Sequence, residues 1–88
     1  MPIISQFYGI IIQMFFNEKG KHNQAHIHIK YNEYKAVYNL DGNMLEGRLP
    51  KKQRKLIEAW ICIHEEELKS LWNIMQEEGE FFKIEPLK

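Results

Sequence analysis

Hydrophobic positions recur at every second residue through much of the first half of this chain and at every third or fourth through the second half. Residues 3–16, IISQFYGIIIQMFF, are apolar, β-branched or aromatic almost throughout and are broken once by Gly9. That run predicts two short strands, or one strand kinked at the glycine. The polar stretch NEKGKHNQ, residues 17–24, predicts a loop. AHIHIKY then alternates strictly: Ala25, Ile27, Ile29 and Tyr31 share one face, and His26, His28 and Lys30 share the other. YKAVYNL alternates again after Asn32-Glu33. With those two residues as a hairpin turn, Tyr31 pairs with Tyr34, Ile29 with Ala36 and Ile27 with Tyr38, which stacks apolar on apolar. The same register sets His28 beside Val37, His26 beside Asn39 and Lys30 beside Lys35. DGN at 41–43 predicts a second turn and MLEGRL a further short strand.

From Pro50 the period changes. Ile57, Trp60, Ile61, His64, Leu68, Leu71, Trp72 and Met75 keep helical spacing, and neither Gly nor Pro intervenes before Gly79. One long helix is the first expectation. A break near His64 is the alternative, because Glu65-Glu66-Glu67 suits the opening turn of a second helix. EFFKIEPLK is an edge strand or an extended tail, with Phe81, Phe82 and Ile84 packing back on the body; Pro86 argues against a central strand. The architecture expected is α+β: a small antiparallel β-sheet packed on one long or broken C-terminal α-helix.

Length and composition narrow the picture. A chain of 88 residues makes one domain, 1–88, with one modest core, and buries about 60–65% of its unfolded surface. Its 44% hydrophobic and 27% charged residues are those of an ordinary globular protein. No apolar run approaches the length of a membrane span or signal core, so a cytoplasmic protein without membrane contact is expected. The single Cys62 leaves no internal disulfide and no multi-cysteine zinc site. Its place in the apolar helical stretch predicts a buried, inert thiol.

Net charge is zero but unevenly placed. Residues 17–55 hold nine Lys/Arg against four Asp/Glu, and residues 56–88 hold three against eight. Such a dipolar chain presents an electropositive patch despite its neutral total, or a solvated charged surface with no target. The expected helix also opens on Lys51, Lys52, Arg54 and Lys55 and closes on Glu77 and Glu78, so both ends oppose its dipole. A basic helix start is kept where an anion binds, or is tolerated in a fold with stability to spare.

Three of the four histidines fall within KHNQAHIHIK, residues 21–30. His26 and His28 point the same way from one strand, turned from the apolar interior. That face is an interaction surface, an acid–base or phosphate-contacting site, or a metal site. For acid–base chemistry the candidates are His26 and His28 for proton transfer, with Lys30 and Lys35 at phosphate. For a divalent metal they are His22, His26 and His28, with His22 reaching in from the loop. No cofactor is otherwise expected. His64, on the apolar stripe, is expected to be a hydrogen-bonded core histidine. Leu56, Ala59 and Ile63 widen the apolar arc of the helix, to be covered by the sheet or by a second copy of the chain.

The segments ISQFYGIIIQMFF, HNQAHIHIKY, LEGRLP, the Trp60–Trp72 stretch with His64 and Glu67-Leu68, and the ending IEPL together resemble a bacterial family of small proteins, domain of unknown function 4160, nearly end to end. The resemblance implies a neighbouring gene encoding another small protein, in an arrangement like a toxin–antitoxin pair. It carries over His22, His26, His28, Glu46, His64 and Glu67 as motif positions without assigning them roles. Relatives usually have Pro before the first strand histidine where this chain has Ala25, which implies a looser loop here. The leading expectation is therefore a protein-binding component of a toxin–antitoxin-like module, with the adjacent gene product as partner. Metal-independent RNA cleavage or RNA binding is second, and metal binding third.

Overall fold

A computed structural model describes residues 2–16 and 24–87. Five strands form one antiparallel sheet in chain order: β1 (Ile3–Phe7), β2 (Ile10–Gln13), β3 (His26–Tyr31), β4 (Tyr34–Asn39) and β5 (Met44–Gly47). Gly9 divides the first apolar run into two strands, with Tyr8 and Gly9 at φ 48° and 79° in the turn. Positive φ at both turn residues matches the right-handed twist of the strands it joins. The β3–β4 register is the one alternation predicts, from Tyr31 opposite Tyr34 to His26 opposite Asn39. Asn39 organises the next turn: its Oδ1 accepts from the Asp41 and Asn43 N–H groups at 3.0 and 2.9 Å.

Two helices follow, α1 (Lys51–Ile63) and α2 (Glu65–Glu78), giving an α+β fold. The single long helix expected first is interrupted at His64, with φ −109° and ψ 22°. The interruption is one residue wide, because His64 N–H still donates to the Trp60 carbonyl at 3.0 Å and Leu68 N–H to the His64 carbonyl at 2.9 Å. The acidic first turn of α2 favours a new helix start. α1 buries Gln53, Ile57, Trp60 and Ile61, and α2 buries Leu68, Leu71 and Met75. The apolar ones pack with Ile4, Phe7, Ile10, Ile12, Ile27, Ile29, Ala36 and Tyr38 from one face of the sheet.

Two expectations for side chains, those for Cys62 and for Phe81 and Phe82, are corrected. Cys62 is exposed, because it lies one position past Ile61 and so off the buried stripe of α1. Ile63 and Ala59 are exposed as well, so of the two covers expected for this part of the apolar arc the sheet is not the one. In the C-terminal tail Ile84 is buried and Leu87 packs partly against the core, while Phe81 and Phe82 are exposed. The tail is not a strand, but Ile84 N–H donates to the Ile4 carbonyl at 2.8 Å, and the Glu85 carbonyl accepts from Trp60 Nε1 at 2.8 Å. Among the described residues, no helix is long and apolar enough to cross a membrane.

Candidate functional site

The buried stripes of both helices pack on one face of the sheet, and the other face, apart from the His26 end that Trp72 covers, forms an open concavity of about 620 Å³ among the described residues. Ile11, Phe15 and Val37 give it an apolar floor, and His28, Lys30, Lys35 and Glu46 bring polar groups to it. Strand alternation puts them there: Ile11 is paired with Lys30, Lys30 with Lys35, His28 with Val37, and Val37 with Glu46. Lys30 and Lys35 stand directly opposite one another, both exposed, and neither is ion-paired with a described residue. Like charges at directly opposed strand positions repel. This part of the face therefore attracts an anionic group.

The two strand histidines part company. His28 is half-buried, with its ring 4.5 Å from that of Phe15 in an edge arrangement. His26 was expected on the surface beside it but is fully buried. Its ring lies 5.2 Å from both His28 and Trp72 of α2, and its Nδ1–H donates to the Gln24 carbonyl at 2.9 Å. Gln24 is itself held by Asn39, whose Nδ2 donates to Gln24 Oε1 at 3.1 Å. The end of α2 is tied to the segment after β2 by Gln76 Nε2, which donates to the Phe15 carbonyl at 2.8 Å. Phe15, Gln24, Asn39 and Trp72 thus shape the histidine pair; the strand register places Asn39 beside His26, but no local pattern brings Phe15, Gln24 or Trp72 to it. An aromatic packed from a distant helix has no periodic signature on the strand it covers.

Two further motif positions, His64 and Glu67, form a separate pair. His64 Nδ1 bonds to Glu67 Oε1 at 2.5 Å, one turn into α2, and its ring lies 5.4 Å from that of Trp60. His64 is hydrogen-bonded as expected but only partly buried, and neither it nor Glu67 lines the concavity. Glu46 does line it, with His28. His22 lies outside the described residues. Among the described residues, no three His, Cys, Asp or Glu side chains are grouped to hold a metal ion.

Residues 9–73 match the model of a family described as a domain of unknown function (DUF4160). No curated protein and no solved structure matches the chain significantly.

Proposed function

This chain belongs to the domain of unknown function 4160 family, and on that premise we propose that it is the protein-binding component of a toxin–antitoxin-like two-gene module, its partner the product of the adjacent gene. The observation that carries this reading is the open sheet face, with Ile11, Phe15 and Val37 beneath a rim bearing Lys30 and Lys35. An apolar floor with a charged rim is the anatomy of a protein-docking surface. The opposed lysines select a partner that presents a carboxylate over an apolar segment.

Co-expression with the adjacent gene product tests the reading. The two chains should co-elute as a complex. Reversing the rim with Lys30→Glu and Lys35→Glu should weaken it by about tenfold or more, without loss of fold. Failure to form a complex, or a complex indifferent to the reversal, would overturn the proposal.

A second reading has its own observation: His28 shares the concavity with both lysines, so a proton-transferring group sits beside an anion-attracting pair. On this reading the chain binds or cuts RNA without metal. His26, sealed against Trp72, then positions the His28 ring instead of touching substrate. RNA cleavage in the presence of chelator, abolished by His28→Ala, is the expected result. Intact RNA after prolonged incubation, together with no RNA binding in a gel shift, would sink this reading.

A further inference from the structure

The meander brings the Tyr8–Gly9 turn, the Asn32–Glu33 turn and the first turn of α1 to one end of the sheet, on the side the helices cover. Between them lies a recess of about 460 Å³ lined by Tyr8, Tyr31, Lys52, Gln53, Leu56 and Leu87. We infer that this recess is a binding site for a free nucleoside monophosphate, its base between the tyrosines and its phosphate at the start of α1. The volume falls within the range of small-molecule sites.

Gln53 supplies the first observation. It is only 8% exposed, yet its side-chain amide makes no hydrogen bond to any described residue. A buried amide without a partner is costly unless something else supplies one. Among the described residues only Ser5 Oγ is both sealed from solvent and unbonded. The Gln53 amide therefore stays open to the recess it lines. With a donor and an acceptor side by side, it matches the hydrogen-bonding edge of a nucleobase.

The helix start supplies the second. Pro50 provides no side-chain cap, the first turn holds no acidic residue, and the first helical bond runs from Arg54 N–H to the Pro50 carbonyl at 3.0 Å. The N–H groups of Lys51, Lys52 and Gln53 thus lie ahead of the ladder, and Lys52 lines the recess. Uncapped N–H groups, the positive helix end and a lysine together suit a phosphate.

The tyrosines complete the site. Tyr31 is held in place, its ring 20° from parallel with that of Tyr34 at 6.4 Å, and 3.4 Å from where a β-carbon on Gly9 would sit. Tyr8 is 61% exposed and adopts a left-handed backbone, φ 48°, which bulky residues rarely take. At the tip of the β1–β2 turn it leaves an aromatic surface open to a planar group in the recess. The site is separate from the open sheet face.

The test is an NMR titration of the full chain with the four common ribonucleoside 5′-monophosphates, their nucleosides, inorganic phosphate and a 5′-phosphorylated RNA trinucleotide. At least one monophosphate should saturably shift the Gln53 side-chain amide and the Tyr8 and Tyr31 rings. The matching nucleoside and phosphate alone should each bind about tenfold or more weakly. Lys52→Glu and Gln53→Leu should each weaken the monophosphate by about tenfold. No shift at millimolar monophosphate, binding unchanged by Gln53→Leu, or phosphate alone binding as tightly would each overturn the inference. Tighter binding of the trinucleotide would overturn the choice of a free mononucleotide.

Discussion

At Gly47 the backbone takes a φ of 86°, and a β-carbon added there would lie 2.1 Å from the Lys35 carbonyl oxygen and 2.7 Å from the Ala36 Cα. Both obstacles are backbone atoms of the neighbouring strand, so no side-chain rotation relieves them. Gly47→Ala should therefore lower stability by about 3 kcal/mol in a urea titration, through left-handed strain and forced separation of β4 from β5. Tyr38 governs the response to alkali. Its ring is buried and its hydroxyl donates to Glu58 Oε2 at 3.1 Å. Burial first, and then the Glu58 charge and hydrogen bond, push the phenol well above its ordinary 10.0. A raised folded value means that this contribution is fully present below the unfolded pKa and is lost as pH rises beyond it. Stability should fall above about pH 10, and Tyr38→Phe should flatten that fall while costing about 1 kcal/mol at neutral pH. His26 marks how far single residues could be read. Alternation assigned it to the strand face of His28, but its burial depends on Trp72, which reaches it only through the packing of α2.

At the scale of elements, the hairpin of β3 and β4 was legible pair by pair, because a two-residue turn and a period of two leave one register that stacks Ile27 on Tyr38 and Ile29 on Ala36. The helical half was less so. The same apolar spacing runs through His64 without pause, and only Glu65, Glu66 and Glu67 signalled a second start. The expectation for Cys62 failed because an apolar neighbourhood in sequence is not a shared helix face; 100° separates it from Ile61. Its exposure predicts that the native protein is alkylated by iodoacetamide at a rate close to that of the unfolded chain, by mass spectrometry. The basic opening of α1 gives a further prediction. Lys51 is exposed and opposes the helix dipole, so Lys51→Glu should raise stability by about 0.5 kcal/mol, with the gain shrinking as salt is added. Thermal melts at low and high ionic strength check it.

Across the whole molecule, the tail after Gly79 closes what the helices leave open. Ile84 is buried, its N–H bonds to the outer strand at Ile4, and the next carbonyl takes the Trp60 indole N–H. Removing residues 84–88 should cost about 3 kcal/mol from lost burial and an orphaned buried donor, measured as a lower urea midpoint. The truncated chain should also self-associate on size exclusion, because it frees an edge of β1. Neither the tail's bonds nor the open concavity was legible, since both arise from segments far apart in sequence meeting in space. The serial order of the strands has a consequence during synthesis. Each strand finds its partner in the segment made just before it, so the sheet can zip up as it leaves the ribosome. Trp60, Leu68 and Leu71, however, are translated after all five strands. Until they emerge, a finished sheet carries an oily face with nothing over it, and that interval is when a nascent copy is most in need of a chaperone.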